Sequence, residues 1–376
     1  MKQKLILFIY SLGGGGAEKA TINLAEGLRH IFDVKIVVMS KVQAYSTNAP
    51  IEYLADDDIN TNPLKKILAL PKHAKKFAKD YADADFVLCA LSRPIIITAL
   101  AKKYGLKAKV FAVEHTTPSK YYPSEGVANM LMLQALKWAY QKMSAIFAVS
   151  QGGAIDLRLN FGVKSAQVLP NPIDLNAIKE LAKIEPDIKP RGFKIVCVGR
   201  LVPTKNQALL IKALDKCGIE DAKLILVGNG SEQARLESLC EELGLMERVI
   251  FVGFDQNPYR WIANADIFAY GSNLESLPTV LLEALALKKP VISTDCISGP
   301  REILGGSEKK SFDNFGIELA KYGLLVRVND ETSMSNAFRV LYEQENLREM
   351  LANIGEAKAK EFDIYEVAKL YAQKLE

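Results

Sequence analysis

Short apolar runs recur along the chain, and amphipathic stretches separate them. In the first half the runs are Leu5–Tyr10, Val34–Met39, Phe86–Ala90, Lys109–Val113 and Ile146–Val149. In the second half they are Lys194–Val198, Lys223–Val227, Arg248–Val252, Ile267–Tyr270 and Pro290–Ser293. Their length and composition predict β-strands. Lys19–Leu28 and Gln207–Leu214 lie between such runs and have the amphipathic pattern of helices. This βαβ alternation predicts an α/β chain with two doubly wound parallel sheets. Between the halves lies Asp174–Gly192, polar and charged, with Pro186 and Pro190; it reads as the interdomain connection. The expected domains are therefore 1–178 and 193–359. The last segment, Asn353–Glu376, is helical without a strand to pair with, and its end, from about 360 to 376, is expected to cross back onto the first domain. Ligands of such folds bind at the carboxyl ends of the strands, so the cleft between the domains is the expected site.

A length of 376 residues suits two domains of ordinary size, and an apolar content of 49% suffices for two cores. The net charge of +4 is too small to indicate a dedicated nucleic-acid binder. Cys89, Cys197, Cys217, Cys240 and Cys296 are scattered, with no paired metal spacing. Three of them lie in or beside apolar runs and read as buried thiols, which points to a reducing cytoplasm. Met1–Lys4 followed by Leu5–Tyr10 has the look of a signal segment. The apolar run is too short for that and leads into a glycine loop, so it reads as the first strand. No apolar stretch is long enough to span a bilayer.

The most informative chemistry is the pair Glu275 and Glu283, with seven residues between them. That spacing is just over two helical turns, so both can lie on one face at a helix start. Pro278 suits a first helical turn, where its missing N–H costs nothing. Glu275 then stands just ahead of the helix and Glu283 within it. The free N–H groups of the helix start attract an anion. Such a place holds hydroxyls with carboxylates and a phosphate with amides, which suits a nucleotide-sugar. The other reading is a solvated surface helix with two unrelated glutamates.

Two loops add to the first reading. Arg200 and Lys205 follow the first strand of the second half, where two cations can hold a diphosphate or form a solvated basic loop. Gly13, Gly14, Gly15 and Gly16 follow the first strand of the chain and open a helix. Glycines there allow close approach of a ligand to the backbone; a flexible strand-to-helix turn is the plainer reading. A dinucleotide fingerprint does not fit, because Glu18 takes the third glycine position and Met39-Ser40-Lys41 stands where an acidic residue should end the second strand. Val227-Gly228-Asn229-Gly230 is a turn that allows close approach of a nucleotide.

Of the three histidines, His30 and His73 read as solvated, while His115 stands at a strand's carboxyl end in Glu114-His115. His115 is either structural or turned to the reacting group. Asp56, Asp57 and Asp58 read as a solvated turn or helix cap rather than a metal site. Leu64–Tyr81 carries Lys65, Lys66, Lys72, Lys75, Lys76 and Lys79 beside an apolar stripe. It either lies on an anionic membrane surface or packs on the sheet with its lysines in water.

Together these residues resemble the family-4 retaining glycosyltransferases of the two-domain GT-B type, over nearly the whole chain. The carrying motifs are Gly15-Gly16-Ala17-Glu18-Lys19, Gly199-Arg200-Leu201 with Lys205-Asn206, and Glu275 with Glu283, in that order. Within the family the chain is similar to the N-acetylgalactosaminyltransferases of the bacterial N-linked protein glycosylation pathway. The shared phrases are Phe8–Gly13, Arg93-Pro94, Thr116–Ser119 and Gly253–Tyr259. The resemblance implies two Rossmann-like domains facing a cleft, with the acceptor in the first and a UDP-sugar in the second. It implies that Arg200 and Lys205 bind the diphosphate, that Glu283 takes the ribose and that Glu275 takes the sugar. Gly15, Gly16, Ser276, Leu277, Pro278 and Thr279 complete the donor site, and His115 lies by the sugar's reacting face. Arg93 and Lys72, Lys75, Lys76 and Lys79 would meet the acceptor or the membrane. Ser276 stands where the family usually has Gly, and its side chain narrows or re-aims the sugar pocket. Asn171-Pro172 replaces the usual Asn-Gly, a change that bears on the linker more than on chemistry.

The implied activity is transfer of N-acetylgalactosamine from UDP-N-acetylgalactosamine to a polyprenyl-diphosphate-linked saccharide, with retention. The implied place is cytoplasmic, peripheral on the inner face of the cell membrane, with no cofactor and no metal. One alternative is the same fold with UDP-glucose, UDP-N-acetylglucosamine or UDP-galactose, building lipopolysaccharide or capsule. The other is a catalytically silent nucleotide-sugar-binding protein.

Overall fold

A computed structural model describes residues 2–56, 67–122 and 127–376 of the chain. It divides into two units, Met1–Pro172 with Ile364–Glu376, and Ile173–Asp363.

In the first unit, seven strands form a sheet in the order β3-β2-β1-β4-β5-β6-β7. They are β1 (Lys4–Ile9), β2 (Asp33–Val38), β3 (Ile51–Tyr53), β4 (Phe86–Ala90), β5 (Lys109–Glu114), β6 (Ala145–Ala148) and β7 (Gln167–Val168). All neighbours run parallel. The strands are continuous apolar runs because helices cover both faces. Within each run the side chains still alternate. Ile6, Phe8, Val87, Cys89, Val110 and Ala112 join one core with Ala74, Phe77, Ile95 and Leu136 of the helices Leu70–Asp80, Ser92–Lys103 and Val127–Tyr140. Phe8 stacks on Phe77 there at 4.7 Å. Phe147 turns to the other face and meets Tyr371 of the final helix, Ile364–Leu375, edge-on at 5.8 Å. That helix packs against Gly16–Leu28 so closely that a Cβ on Gly27 would lie 2.5 Å from the Ile364 carbonyl oxygen.

The second unit repeats the design in the order β10-β9-β8-β11-β12-β14-β13. Its strands are β8 (Lys194–Val198), β9 (Lys223–Val227), β10 (Val249–Gly253), β11 (Ile267–Tyr270), β12 (Val291–Thr294), β13 (Ile317–Ala320) and β14 (Gly323–Val326). Only β13 runs antiparallel, as the outer arm of a tight hairpin with β14. That hairpin is absent from the sequence reading, because its two short arms sit among charged and glycine-rich segments. Arg301 ties it to the sheet, donating to Asp295 after β12 at 2.9 Å and to Glu318 of β13 at 2.8 Å.

Three expectations need correction. The stretch Asp174–Gly192 holds a helix, Leu175–Leu181, which belongs to the second unit. Asp174 caps it by accepting from the Ala177 amide at 2.9 Å, and Ile178 is buried. The division therefore falls after Pro172, ahead of the polar stretch, and again after Asp363. His73 is buried rather than solvated, since it shares the inner face of its helix with Ala74, Phe77 and Ala78. Leu64, Lys65, Lys66, Asp57 and Asp58 lie outside the described residues. Asp56 pairs with Lys41 at 2.8 Å.

Candidate functional site

Each sheet reverses its winding at one point, between β1 and β4 in the first unit and between β8 and β11 in the second. The loops leaving the two strands there diverge to opposite faces and open a crevice at their carboxyl ends.

In the second unit, the loop after β8 carries Arg200 and ends in a 3-10 turn, Pro203–Lys205. Asn206 follows with φ +47° and starts the helix Gln207–Lys216. The loop after β11 runs from Gly271 to Pro278 and enters the helix Thr279–Ala286. Lys205 and Glu275 meet across the switch point. Lys205 Nζ donates to Glu275 Oε1 at 2.5 Å and to the Tyr270 hydroxyl at 2.7 Å. The same carboxylate oxygen accepts from the Tyr270 hydroxyl at 2.8 Å and from Ser272 Oγ at 2.6 Å. Burial, and then the charge of Glu275 beside it, push the Tyr270 phenol well above its ordinary range, so it stays protonated.

The backbone around this cluster is equally tied. The single Ser272 hydroxyl proton is shared between Glu275 and the Thr204 carbonyl, 2.8 Å away, and the Asn273 amide donates to the same carbonyl at 2.8 Å. The Glu275 amide donates to Ile297 O at 3.0 Å, and the Ser298 amide returns a bond to Glu275 O at 2.9 Å. Gly299, at φ +79°, lies where a Cβ would be 2.3 Å from Ser276 O. Three loops thus hold one another, and Ser276 and Leu277 are buried among them. Pro278 occupies the cap position of the following helix, and no side chain caps that amino end.

Glu283 lies inside this helix between buried leucines and is itself only 6% exposed. Among the described residues its carboxylate accepts one side-chain bond, a long one of 3.4 Å from the Tyr259 hydroxyl. Arg200 is exposed, and its guanidinium makes no ion pair among the described residues. The structure therefore joins Lys205 to Glu275 and leaves Arg200 and Glu283 outside that network. Packing within the unit by itself demands the glycines of the β9 loop. A Cβ on Gly228 would lie 2.1 Å from Gly199 O, and one on Gly230 would lie 2.1 Å from Leu201 O.

In the first unit, Gly15 caps the helix Gly16–Leu28 with extended backbone, and Gly14 takes φ +100°. A Cβ on Gly16 would meet nothing within 4 Å, so packing does not demand glycine there. His115 follows β5 and lines a small cavity with Asn171, Thr21 and Tyr371. Burial pushes its imidazole down to about 4, against an opposing hydrogen bond with Asn171. Asn171 thus touches His115 directly, so its part in the fold extends beyond the linker. Next to it, burial pushes Glu114 up to about 7, although Tyr140 donates to its Oε1 at 2.5 Å. Arg93, in the first turn of the helix Ser92–Lys103 after β4, lies over the Tyr10 ring at 5.2 Å. Lys72, Lys75, Lys76 and Lys79 all point to solvent from the helix Leu70–Asp80, with Lys76 pairing to Asp80 at 2.8 Å.

Tyr270, Ser272 and Tyr259 were missed by the sequence reading. The signal for Tyr270 was a hydroxyl-bearing residue at the carboxyl end of a switch-point strand. Nothing local distinguished Ser272, and Tyr259 was noticed only within a shared phrase.

Residues 179–358 match the family described as glycosyl transferases group 1, and residues 14–177 match glycosyltransferase family 4. The chain is 35% identical over 374 residues to the N-acetylgalactosamine-N,N'-diacetylbacillosaminyl-diphospho-undecaprenol 4-alpha-N-acetylgalactosaminyltransferase of Campylobacter jejuni, covering 98% of each chain. It is 26% identical to that organism's GalNAc-alpha-(1->4)-GalNAc-alpha-(1->3)-diNAcBac-PP-undecaprenol alpha-1,4-N-acetyl-D-galactosaminyltransferase, covering 96% of this chain and 95% of the other. Among solved structures, Anabaena HepE in complex with UDP and glucose superimposes with a TM-score of 0.80 at 22% identity, covering 99% of both chains.

Proposed function

The chain belongs to the group 1 glycosyltransferases, with a family-4 amino-terminal domain and the GT-B fold, and from that premise we propose that it transfers N-acetylgalactosamine from UDP-N-acetylgalactosamine to a polyprenyl-diphosphate-linked saccharide, with retention. The second unit holds the donor and the first takes the acceptor. What supports this reading most is the meeting of Lys205 and Glu275 at the switch point of the second sheet. It puts a cation for the diphosphate beside a carboxylate for sugar hydroxyls. The uncapped start of the helix Thr279–Ala286 offers amides to the phosphate, with Ser276, Leu277 and Pro278 shaping the approach. Glu283, buried with one long hydrogen bond, takes the ribose hydroxyls. The relative from Campylobacter jejuni is named for adding N-acetylgalactosamine to a diphospho-undecaprenol-linked saccharide, which supports the sugar and the acceptor class.

The bond between the sugar's anomeric carbon and the diphosphate oxygen breaks, and the bonding pair leaves with the diphosphate. Lys205 and Arg200 stabilise the charge that develops there, which is the main catalytic term. The acceptor hydroxyl bonds to the anomeric carbon on the same face, and its proton passes to the departing phosphate oxygen. His115, neutral at pH 7 because burial pushes it to about 4, offers a hydrogen bond beside the sugar without adding charge. Gly15 and Gly16 leave room for the ligand at the start of their helix. Arg93 and the exposed Lys72, Lys75, Lys76 and Lys79 meet the acceptor's diphosphate or an anionic bilayer surface. In this reading the attachment is peripheral, on the cytoplasmic face; no helix among the described residues is long and apolar enough to cross a membrane.

One residue favours a second donor. Ser276, buried beside Glu275 where the family usually has Gly, can re-aim the sugar pocket toward glucose, N-acetylglucosamine or galactose. Incubating the protein with labelled UDP-sugars and a panel of lipid-linked saccharides tests both. Label from UDP-N-acetylgalactosamine alone in the lipid fraction is the expected result. Label from another UDP-sugar would select the second reading. UDP-sugar binding without transfer to any acceptor would leave a silent binding protein.

A further inference from the structure

Tyr270 ends β11 at the switch point, and its side chain is only 2% exposed. Backbone pairing to Ser293 of β12 fixes its place, and its ring stacks with Phe268 at 6.3 Å. Lys205 Nζ lies 5.3 Å from the ring centroid and 2.7 Å from the hydroxyl. A phenol has one proton, and here it points to Glu275 Oε1 at 2.8 Å. Its lone pair is thereby turned to the ammonium. The hydroxyl orients both charged groups at once.

The remaining valences are informative. An ammonium carries three N–H bonds. Two of those on Lys205 are taken, by Tyr270 and by Glu275. Oε1 of Glu275 accepts from Lys205, Tyr270 and Ser272, while Oε2 accepts from no group among the described residues. One N–H and one carboxylate oxygen are left over. The side chains that bear them are partly open, at 19% and 10% exposure.

We infer that Tyr270 is a positioning residue that turns the third N–H of Lys205 and the second oxygen of Glu275 toward the ligand. This rests on the donor-site reading above. It extends that reading, because Tyr270 acts through the lysine and the glutamate, the two groups its hydroxyl bonds. A lysine on four rotatable bonds is otherwise a poorly aimed charge. The tyrosine supplies the rigidity, since its ring is buried and stacked on Phe268.

A double-mutant cycle on the full chain, read by calorimetric titration with UDP, tests this. The parent binds UDP. Tyr270→Phe keeps the ring and the fold, checked by circular dichroism, and weakens UDP binding about tenfold, the scale of one hydrogen bond to a charged group. Lys205→Gln weakens it further, and adding Tyr270→Phe to it costs less than about twofold more. In the transfer assay Tyr270→Phe lowers kcat and raises the donor KM, leaving the acceptor KM unchanged. General loosening of the fold would not produce that split. Parent-like UDP affinity in Tyr270→Phe, or the same tenfold loss with and without Lys205, would overturn the inference. No UDP binding by the parent itself would remove the donor-site reading, a failure the first titration identifies.

Discussion

Lys205 Nζ and Glu275 Oε1 lie 2.5 Å apart although 70 positions separate the two residues in the chain. Their proposed partners are different parts of the donor, diphosphate and sugar, yet they form one unit. Glu275→Gln therefore removes an anchor of Lys205 as well as a sugar contact. We expect UDP affinity to fall about tenfold and transfer by more. Lys205→Ala and Arg200→Ala should each lower kcat about 10²–10³-fold by removing a preorganised donor to the leaving diphosphate. UDP titration beside initial rates checks this; normal UDP affinity in Glu275→Gln would show that the lysine keeps its aim without the carboxylate.

Glu283 should behave differently. It stands outside that network, buried in a helix with one bond of 3.4 Å. Glu283→Gln is expected to weaken UDP binding while kcat at saturating donor stays within about threefold, since uniform binding is lost rather than transition-state binding. UDP titration beside initial rates measures both, and parent-like UDP affinity in the variant would contradict the ribose role.

The neighbours Glu114 and His115 make an opposed pair of titrations. Burial raises Glu114 from an ordinary 4.5 to about 7. Between those values the folded chain keeps a proton that the unfolded chain releases, so this contribution to stability falls as pH rises. Burial lowers His115 from 6.5 to about 4. There the unfolded chain takes up the extra proton, so stability falls as pH falls. From pH 4.5 to 6.5 the two nearly cancel. Glu114→Gln should unmask the histidine and lose about 2–3 kcal/mol, relative to the parent, from pH 6.5 down to 4.5. His115→Gln should show the reverse slope from pH 4.5 up to 7. Urea unfolding across this range measures both, and slopes of the same sign would refute the assignment.

The helix Leu70–Asp80 buries His73, Ala74, Phe77 and Ala78 and exposes its lysines. Replacing Lys72, Lys75, Lys76 and Lys79 with Gln should reduce sedimentation with anionic vesicles, at roughly 1 kcal/mol for each charge near the surface. UDP binding should not change, since no residue of the proposed donor cluster is altered. Added salt should act like the substitution. Parent-like vesicle binding by the quadruple variant would leave the helix as a solvated face.

Gly27 tests the return of the chain's end to the first unit. A Cβ there would sit 2.5 Å from Ile364 O and 2.9 Å from the Ala368 Cβ. Gly27→Ala should improve the helix Gly16–Leu28 locally and still destabilise the unit, by about 1–3 kcal/mol, because overpacking outweighs propensity. Earlier proteolysis within residues 364–376 would be the visible sign. Unchanged stability would mean that the two helices part without cost.

The sequence by itself determined the longer apolar strands and their class. Runs such as Phe86–Ala90 and Lys223–Val227 are apolar throughout because they are covered on both faces, and that pattern survives in one dimension. It also placed Arg200, Lys205, Glu275 and Glu283 on loops and a helix start, since glycine, proline and charge after an apolar run mark strand ends. Tertiary structure alone decided who meets whom. The pairing of Lys205 with Glu275 depends on β8 lying next to β11 in the sheet, an adjacency that skips β9 and β10. Nothing local records it. Likewise His73 is buried and Asn171 reaches His115 only once helices and loops pack on the sheet. Strand identity is a matter of neighbours a few residues apart, whereas a site joins groups whose distance is set by the order of strands.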